Sequence, residues 1–265
     1  MSAIAFIGCG NMGFALMKAA ARVIKPENIF LTDADSEKAH NAAVSAGAKT
    51  LKTNIEAAQM CDFIFLAVKP QVLDQVLAEI TPAIEKRNPS PVLVSMAAGW
   101  SIARIQSYVK TPVVRIMPNT PSLIGKGMIA MSVSQEVSQQ KAEELKTLLN
   151  GAGLVDIIDE RFMNAVTGLS GSGPAFVYLF IEALADGAVH SGMPKDKALY
   201  YAVQTVTGAA AMVQETGKQP GELKDMVTSP GGTTLAGIAA LENGAFRSTV
   251  MKAVEAAKKR AEELG

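Results

Sequence analysis

A doubly wound α/β domain with a mostly parallel sheet, followed by an all-helical domain, is the fold class this sequence predicts, and three observations lead to it. Through the first 158 residues, short apolar runs alternate with helical patterns, as they do when a parallel sheet is covered on both faces. From residue 159 onward no segment alternates with period 2, and only helical patterns remain, punctuated by Gly and Pro at 170–174, 191–194, 217–221 and 229–232. Between the first strand and the first helix lies Gly8-Cys9-Gly10-Asn11-Met12-Gly13, the glycine spacing of a dinucleotide fingerprint. The domain boundary is accordingly expected at 158/159, with a dinucleotide-binding domain over 1–158 and a helical domain over 159–265.

The first strand is expected at 3–7 and feeds a helix at 11–23. Strand 29–32 and helix 36–46 come next, with Asp35 placed to cap that helix. Helix 54–60 precedes strand 63–68, and helix 71–84 precedes strand 92–96. Helix 101–109, strands 113–117 and 127–132, helix 138–149 and strand 154–158 complete the first domain. In the second domain, the helix from 174 to about 191 is apolar nearly all round, which implies burial on every side. A domain of about a hundred residues scarcely surrounds such a helix. The next one, 195–216, carries Thr207-Gly208-Ala209-Ala210-Ala211, small residues over which another helix can approach closely. These two helices are therefore expected to form the core of a homodimer, the alternative being that they fold under the sheet domain. Helix 234–241 and a charged terminal helix over 245–265 follow.

Composition narrows the chemistry. A chain of 265 residues that is 49% hydrophobic buries roughly 70–75% of the surface its unfolded form exposes, so most of it is folded. Its 25 Lys+Arg balance 25 Asp+Glu, which argues against the basic stripe that a nucleic acid or an anionic membrane surface requires. The longest apolar run, 174–190, carries Glu182 and Asp186 and falls short of the roughly 20 residues of a membrane span. Met1-Ser2-Ala3-Ile4 shows no export signal, and the protein is expected in the cytoplasm. Cys9 and Cys61 make neither a disulfide framework nor a zinc pair, and His40 and His190 are too few for a metal site or a histidine relay. His40 is expected on a surface helix and His190 near a helix end. The methionines are read as packing material.

In the fingerprint, Gly8 permits a tight turn, Gly10 lets backbone approach a pyrophosphate, and Gly13 lets helix pack on strand. The helix start adds unpaired N–H groups and a positive dipole end. Asp33, about 20 residues beyond Gly13, stands where an acidic residue takes the adenosine ribose hydroxyls and repels a 2′-phosphate; by charge this favours NADH. Lys38 is the nearby cation, and Ser36 or Asn54 offers hydrogen bonds. Strand ends on the same edge carry Ala67-Val68-Lys69-Pro70, Ser95-Met96-Ala97-Ala98-Gly99 and Met117-Pro118-Asn119-Thr120-Pro121. Lys69 is placed near phosphates or an acidic substrate, or is simply exposed; the small Ala97-Ala98 pair leaves room for a nicotinamide ring, or packs tightly. Ser229-Pro230-Gly231-Gly232-Thr233-Thr234 leads into a helix, and its N–H groups suit a carboxylate, although an ordinary capped helix start has the same composition.

These motifs, with Gly168-Leu169-Ser170-Gly171-Ser172-Gly173-Pro174-Ala175 and Pro220-Gly221-Glu222-Leu223-Lys224-Asp225-Met226-Val227 running into the Ser229–Thr234 turn, closely resemble the pyrroline-5-carboxylate reductase family along essentially the whole chain. The resemblance implies a Rossmann-like N-terminal domain, an all-α C-terminal dimerisation and substrate-binding domain, and a homodimer or a higher assembly of dimers. NADPH or NADH is the implied hydride donor and a small molecule, 1-pyrroline-5-carboxylate, the substrate. Implied cofactor contacts fall on Ile7, Gly8, Cys9, Gly10, Asn11, Met12 and Gly13, on Asn54, on Ala67, Val68, Lys69 and Pro70, and on Met96, Ala97 and Ala98. The substrate carboxylate is implied to sit at Gly232, Thr233 and Thr234, with Val227 close by and Thr234 as the catalytic hydrogen-bond donor to the ring nitrogen. Many members of the family carry Ser, Thr or Arg where Asp33 stands, so the cofactor preference stays open. Two other readings compete. A 3-hydroxyacid dehydrogenase of similar build needs a lysine on the first long helix of the second domain, and residues 168–190 contain none. A dinucleotide-binding sensor without turnover is opposed by the intact Ser229–Thr234 turn.

Overall fold

The structure, a computed structural model, describes residues 2–264. It divides into two compact units, one running up to Ser172 and including the stretch from Ala256, the other Gly173–Glu255. The last strand ends at Ile157, near the change of texture at 158/159, but the units part later. The reason is packing: Met163 is fully buried with Met117 and Ala130, which keeps the helical turns after residue 159 on the sheet.

The first unit is an eight-stranded sheet with the order β3-β2-β1-β4-β5-β6-β7-β8. In chain order its elements are β1 (Ile4–Ile7), α1 (Asn11–Ala20), β2 (Ile29–Thr32), α2 (Ser36–Ala46), β3 (Lys49–Thr50), α3 (Asn54–Met60), β4 (Phe63–Leu66), α4 (Leu73–Ile84), β5 (Val92–Ser95), α5 (Ile102–Gln106), β6 (Val113–Met117), β7 (Gly127–Val133), α6 (Gln139–Leu149), β8 (Gly153–Ile157) and α7 (Met163–Val166). Every neighbouring pair is parallel except β6–β7. The central strands are unbroken apolar runs because both faces are covered. Ile4 and Phe6 of β1 point into a core with Leu16, Met17, Leu145 and Leu149, while Ala5 and Ile7 point into one with Leu77, Ile80 and Ile105. Phe6 and Phe65, paired across β1 and β4, stack at 4.3 Å. Side chains cap α2 (Asp35), α3 (Thr53), α5 (Ser101) and α6 (Ser138). The expected helices 11–23 and 101–109 are shorter than their apolar patterns, since α1 stops at Ala20 and α5 at Gln106 and hydrogen-bonded turns take over.

The second unit contains α8 (Gly173–His190), α9 (Lys195–Thr216), α10 (Pro220–Met226), α11 (Thr233–Asn243) and the first turns of α12 (Phe246–Glu263). Its buried centre is small: Ala185, Ala198 and Ala202, with Ile181 and Ala188 beside them. The expectation that α8 is buried all round is not met within the chain, where Ala185 alone is buried and Val177, Tyr178 and Leu179 are exposed. A further correction concerns length. The apolar run does not begin at 174, because the helical path extends upstream through a π-turn, Thr167–Gly171, so Glu160–His190 is long and apolar enough to cross a membrane by length and composition.

Candidate active site

In doubly wound sheets ligands bind where the chain path reverses across the sheet, outside the carboxyl ends of the strands. Here that point lies between β1 and β4, and the loops following them touch. Gly8 has φ +100°, and a Cβ on it would lie 2.6 Å from the Ala67 carbonyl oxygen. A Cβ on Gly13 would meet the Gly8 carbonyl oxygen at 2.7 Å and the Ala67 Cβ at 2.9 Å. Protein packing alone therefore requires both glycines. Gly10 is different: its φ is −68°, and a Cβ there would meet nothing within 4 Å. It is also the N-cap of α1 and has no side chain with which to satisfy the first N–H groups of the helix. An uncapped helix start behind an open glycine fits a pyrophosphate. Gly8, Cys9 and Gly13 are buried, as is Ile7, whereas Gly10 and Met12 are half-buried and Asn11 is exposed. The Ile7 side chain is buried, which leaves its backbone facing the loop.

Asp33, directly after β2, is tied to this loop. Its Oδ2 accepts the Cys9 backbone N–H at 2.7 Å, its Oδ1 accepts the Asp35 N–H at 3.0 Å, and Lys38 Nζ lies 3.7 Å from Oδ2. Burial pushes the carboxyl up, but the two N–H groups and the lysine outweigh it, and its pKa falls below the ordinary value. The Cys9 thiol is pushed up to about 11, by burial first and then by the Asp33 charge, so it is neutral and unreactive at neutral pH. Asn54 opens α3 with its amide fixed: Oδ1 accepts the Thr32 hydroxyl at 2.7 Å, and Nδ2 donates to Glu79 Oε2 at 2.7 Å. Glu79 was not foreseen, because no pattern links residues on different helices 25 positions apart.

On the same sheet edge, Ala67 and Val68 are half-buried and Lys69 is exposed. The Pro70 carbonyl accepts Trp100 Nε1 at 3.1 Å, and the Arg104 guanidinium lies 3.9 Å from the centre of that indole. Sequence reading missed this support for the loop after β4. Met96 and Ala98 are half-buried, while Ala97 is buried, with its N–H donated to Ser95 Oγ at 3.3 Å. Ala97 packs into the core that holds Leu77, Ile80 and Ile105. A cavity of about 600 Å³ elsewhere in the first unit takes none of its lining from these loops; its Glu160 already accepts the Ile102 N–H at 2.8 Å and pairs with Arg115 at 3.2 Å.

The second unit repeats the glycine device. Gly231 has φ +68°, the Gly232 N–H donates to the Ser229 carbonyl at 3.0 Å, and a Cβ on Gly232 would lie 2.3 Å from Ser229 Oγ. Gly232 is the N-cap of α11, again without a side chain, and the Ala236 N–H returns to its carbonyl at 3.3 Å. The helix thus starts with the N–H groups of Thr233 and Thr234 outside its own ladder. Thr233 is exposed and Thr234 half-buried; Val227, at the end of α10, is exposed. His40 and His190 are both exposed and belong to neither set of loops.

Comparison with known proteins finds family matches in two separate stretches of the chain. The pyrroline-5-carboxylate reductase dimerisation family matches residues 160–264, and the family described as NADP oxidoreductase, coenzyme F420-dependent, matches residues 3–99. A pyrroline-5-carboxylate reductase of Glycine max is 42% identical over 98% of this chain and 95% of its own. The structure of a pyrroline-5-carboxylate reductase from Coxiella burnetii superposes with a TM-score of 0.92 at 33% identity, covering 100% of this chain and 98% of that one. The Plasmodium falciparum pyrroline carboxylate reductase, solved with NADP bound, gives a TM-score of 0.88 at 33% identity, again covering 100% and 98%. Similarity of this extent, over essentially the whole chain, means that the chain belongs to the pyrroline-5-carboxylate reductase family.

Proposed function

We propose that the protein transfers a hydride from NADPH or NADH to the C=N carbon of 1-pyrroline-5-carboxylate and releases L-proline, the last step of proline biosynthesis. The observation that carries the reading is the pair of helix starts at Gly10 and Gly232, each lacking a side-chain cap, in a chain whose full-length relatives bear this name. Each is a ready site for an anion, one for the pyrophosphate and one for the substrate carboxylate. The 25-to-25 charge balance then presents no difficulty, since oriented backbone N–H groups do the binding.

The reduced nicotinamide supplies the hydride, and the protein positions both partners. Gly8 to Gly13, Asn54, Ala67 to Pro70 and Met96 to Ala98 hold the cofactor. Gly232, Thr233 and Thr234 hold the carboxylate, with Val227 beside it. The Thr234 hydroxyl is far too weak an acid to give up its proton, so it orients and polarises the ring nitrogen, and the proton comes from solvent or is already on the imine. Catalysis rests on positioning and electrostatics, which suits a chain with 2 histidines.

The working form is a homodimer, or a larger assembly of dimers. The dimerisation family covers 160–264, and α8 and α9 leave Leu179, Tyr200 and Tyr201 exposed, as a helical unit completed by a second copy would. Glu182 and Asp186 within α8 favour a protein partner over lipid. Two free, buried cysteines fit a reducing cytoplasm. The test is loss of nicotinamide absorbance on mixing the protein with pyrroline-5-carboxylate and either NADPH or NADH. No oxidation with either cofactor would overturn the reading.

A further inference from the structure

Resting on that reading, we propose that Asp33 makes this chain select the dinucleotide without a 2′-phosphate, and that the same carboxylate holds the glycine-rich loop in shape. Asp33 follows β2, the strand beside β1, at the position where the adenosine ribose falls in doubly wound folds. Its side chain is only 15% exposed and is anchored at both oxygens, by the Cys9 N–H and by the Asp35 N–H. To make way for a second anion it would have to release the Cys9 N–H, and with it the loop that carries the pyrophosphate. Lys38 does not offset the charge freely, because its Nζ is already 3.7 Å from Asp33 Oδ2. The neighbouring Asn54 amide is not free either: one N–H goes to Glu79 Oε2, which brings a second carboxylate to this end of the site. Two carboxylates, with the one nearby ammonium already paired to Asp33, oppose a 2′-phosphate, whereas the remaining acceptor capacity of Asp33 suits a ribose diol. The selection is for NADH.

Anchoring the selector to the loop has a consequence that a free surface carboxylate would not have. Asp33→Asn keeps one acceptor, which serves the Cys9 N–H, gives up the bond from the Asp35 N–H and removes the charge, so it relaxes selection and keeps the contact that holds the loop. Asp33→Ala removes both, so it weakens either dinucleotide.

Binding without turnover tests the proposal. Trp100 is the one tryptophan in the chain and is fastened to the loop after β4 through Pro70; its emission reports bound NADH or NADPH, which carry the same acceptor chromophore. In titrations of the full-length protein, NADH is expected to bind at least about 10-fold more tightly than NADPH. Asp33→Asn should bring the two within about 3-fold, chiefly by tightening NADPH, and Asp33→Ala should weaken both while circular dichroism shows a folded protein. Wild-type protein that binds NADPH as tightly as NADH, or an Asp33→Asn ratio equal to that of wild type, would overturn the selection. Asp33→Ala binding NADH as wild type does would overturn the loop-holding role. Binding of neither dinucleotide is a separate result and removes the reductase reading itself.

Discussion

Asn119 donates an amide N–H to the Ser170 carbonyl at 3.0 Å, while its Oδ1 accepts the Met128 N–H at 3.0 Å. One buried side chain thus joins the loop after β6, the start of β7 and the π-turn at 167–171. Asn119→Ala strands two backbone groups and should destabilise the protein by about 2 kcal/mol. Asn119→Asp should do at least as much harm, since a carboxylate cannot donate to the Ser170 carbonyl. Urea denaturation at fixed protein concentration reads both, and a loss below about 0.5 kcal/mol would mean that water replaces both bonds.

Three alanine substitutions separate packing from ligand binding in the glycine loop. Gly8→Ala drives a Cβ onto the Ala67 carbonyl at a φ of +100° and should cost about 2–4 kcal/mol of stability whether or not cofactor is added. Gly13→Ala presses on the Gly8 carbonyl and should behave alike. Gly10→Ala has open space around it, so its melting temperature should stay within about 2 °C of wild type while cofactor affinity falls about 10-fold or more. Unchanged affinity in Gly10→Ala would show that the pyrophosphate does not approach there.

What the sequence disclosed and what it hid follow from how local each feature is. Ile4 to Ile7, Phe63 to Leu66 and Val92 to Ser95 are buried on both faces, so their apolar runs are visible without any partner. The glycines of both helix starts sit within a few residues of each other and were equally legible. β3 was not: Lys49 and Thr50 are both exposed on a sheet edge and pair only with β2, which leaves no alternation. The π-turn was hidden by its own punctuation. Gly171, Gly173 and Pro174 read as a break, yet the Ser172 N–H reaches back to the Thr167 carbonyl at 2.9 Å, and Pro174 stands in the first turn of α8, where a proline is tolerated. The Thr32–Asn54–Glu79 chain depends on side chains from three elements and exists only once the sheet has formed.

Thr234→Ala should lower kcat about 10-fold, the equivalent of one aligned hydrogen bond that strengthens in the transition state. Thr234→Ser keeps the hydroxyl and should recover most of the rate. Steady-state kinetics at saturating cofactor distinguishes this from a loss of carboxylate binding, which would raise KM and leave kcat alone. An unchanged kcat in Thr234→Ala removes the hydroxyl from the mechanism.

Both thiols are expected to be unreactive in the native protein, and labelling tests it. Burial and the Asp33 charge hold Cys9 near a pKa of about 11, and burial with the Asp62 charge holds Cys61 near about 12. At pH 8 both are protonated in the native protein, so a thiol-specific chromogenic reagent should label them only over hours, and at once in guanidinium. Rapid labelling of one thiol in the native protein would place it in a more open setting than the structure gives it.

Leu179 on α8 and Val44 on α2 are equally bare in the single chain, 67% and 68% exposed, but the proposed dimer on the helical unit should bury only the first. Removing a leucine side chain from water is worth about 2 kcal/mol, and in a twofold interface each substitution counts in both protomers. Leu179→Glu also strands an unpaired carboxylate there. Sedimentation at micromolar concentration should therefore find dimers for wild type and Val44→Glu, and a shift toward the 27.8 kDa monomer for Leu179→Glu. A Leu179→Glu protein that stays dimeric with unchanged concentration dependence would move the interface off this face of α8. The apolar stretch Glu160–His190 would then need another partner to cover it.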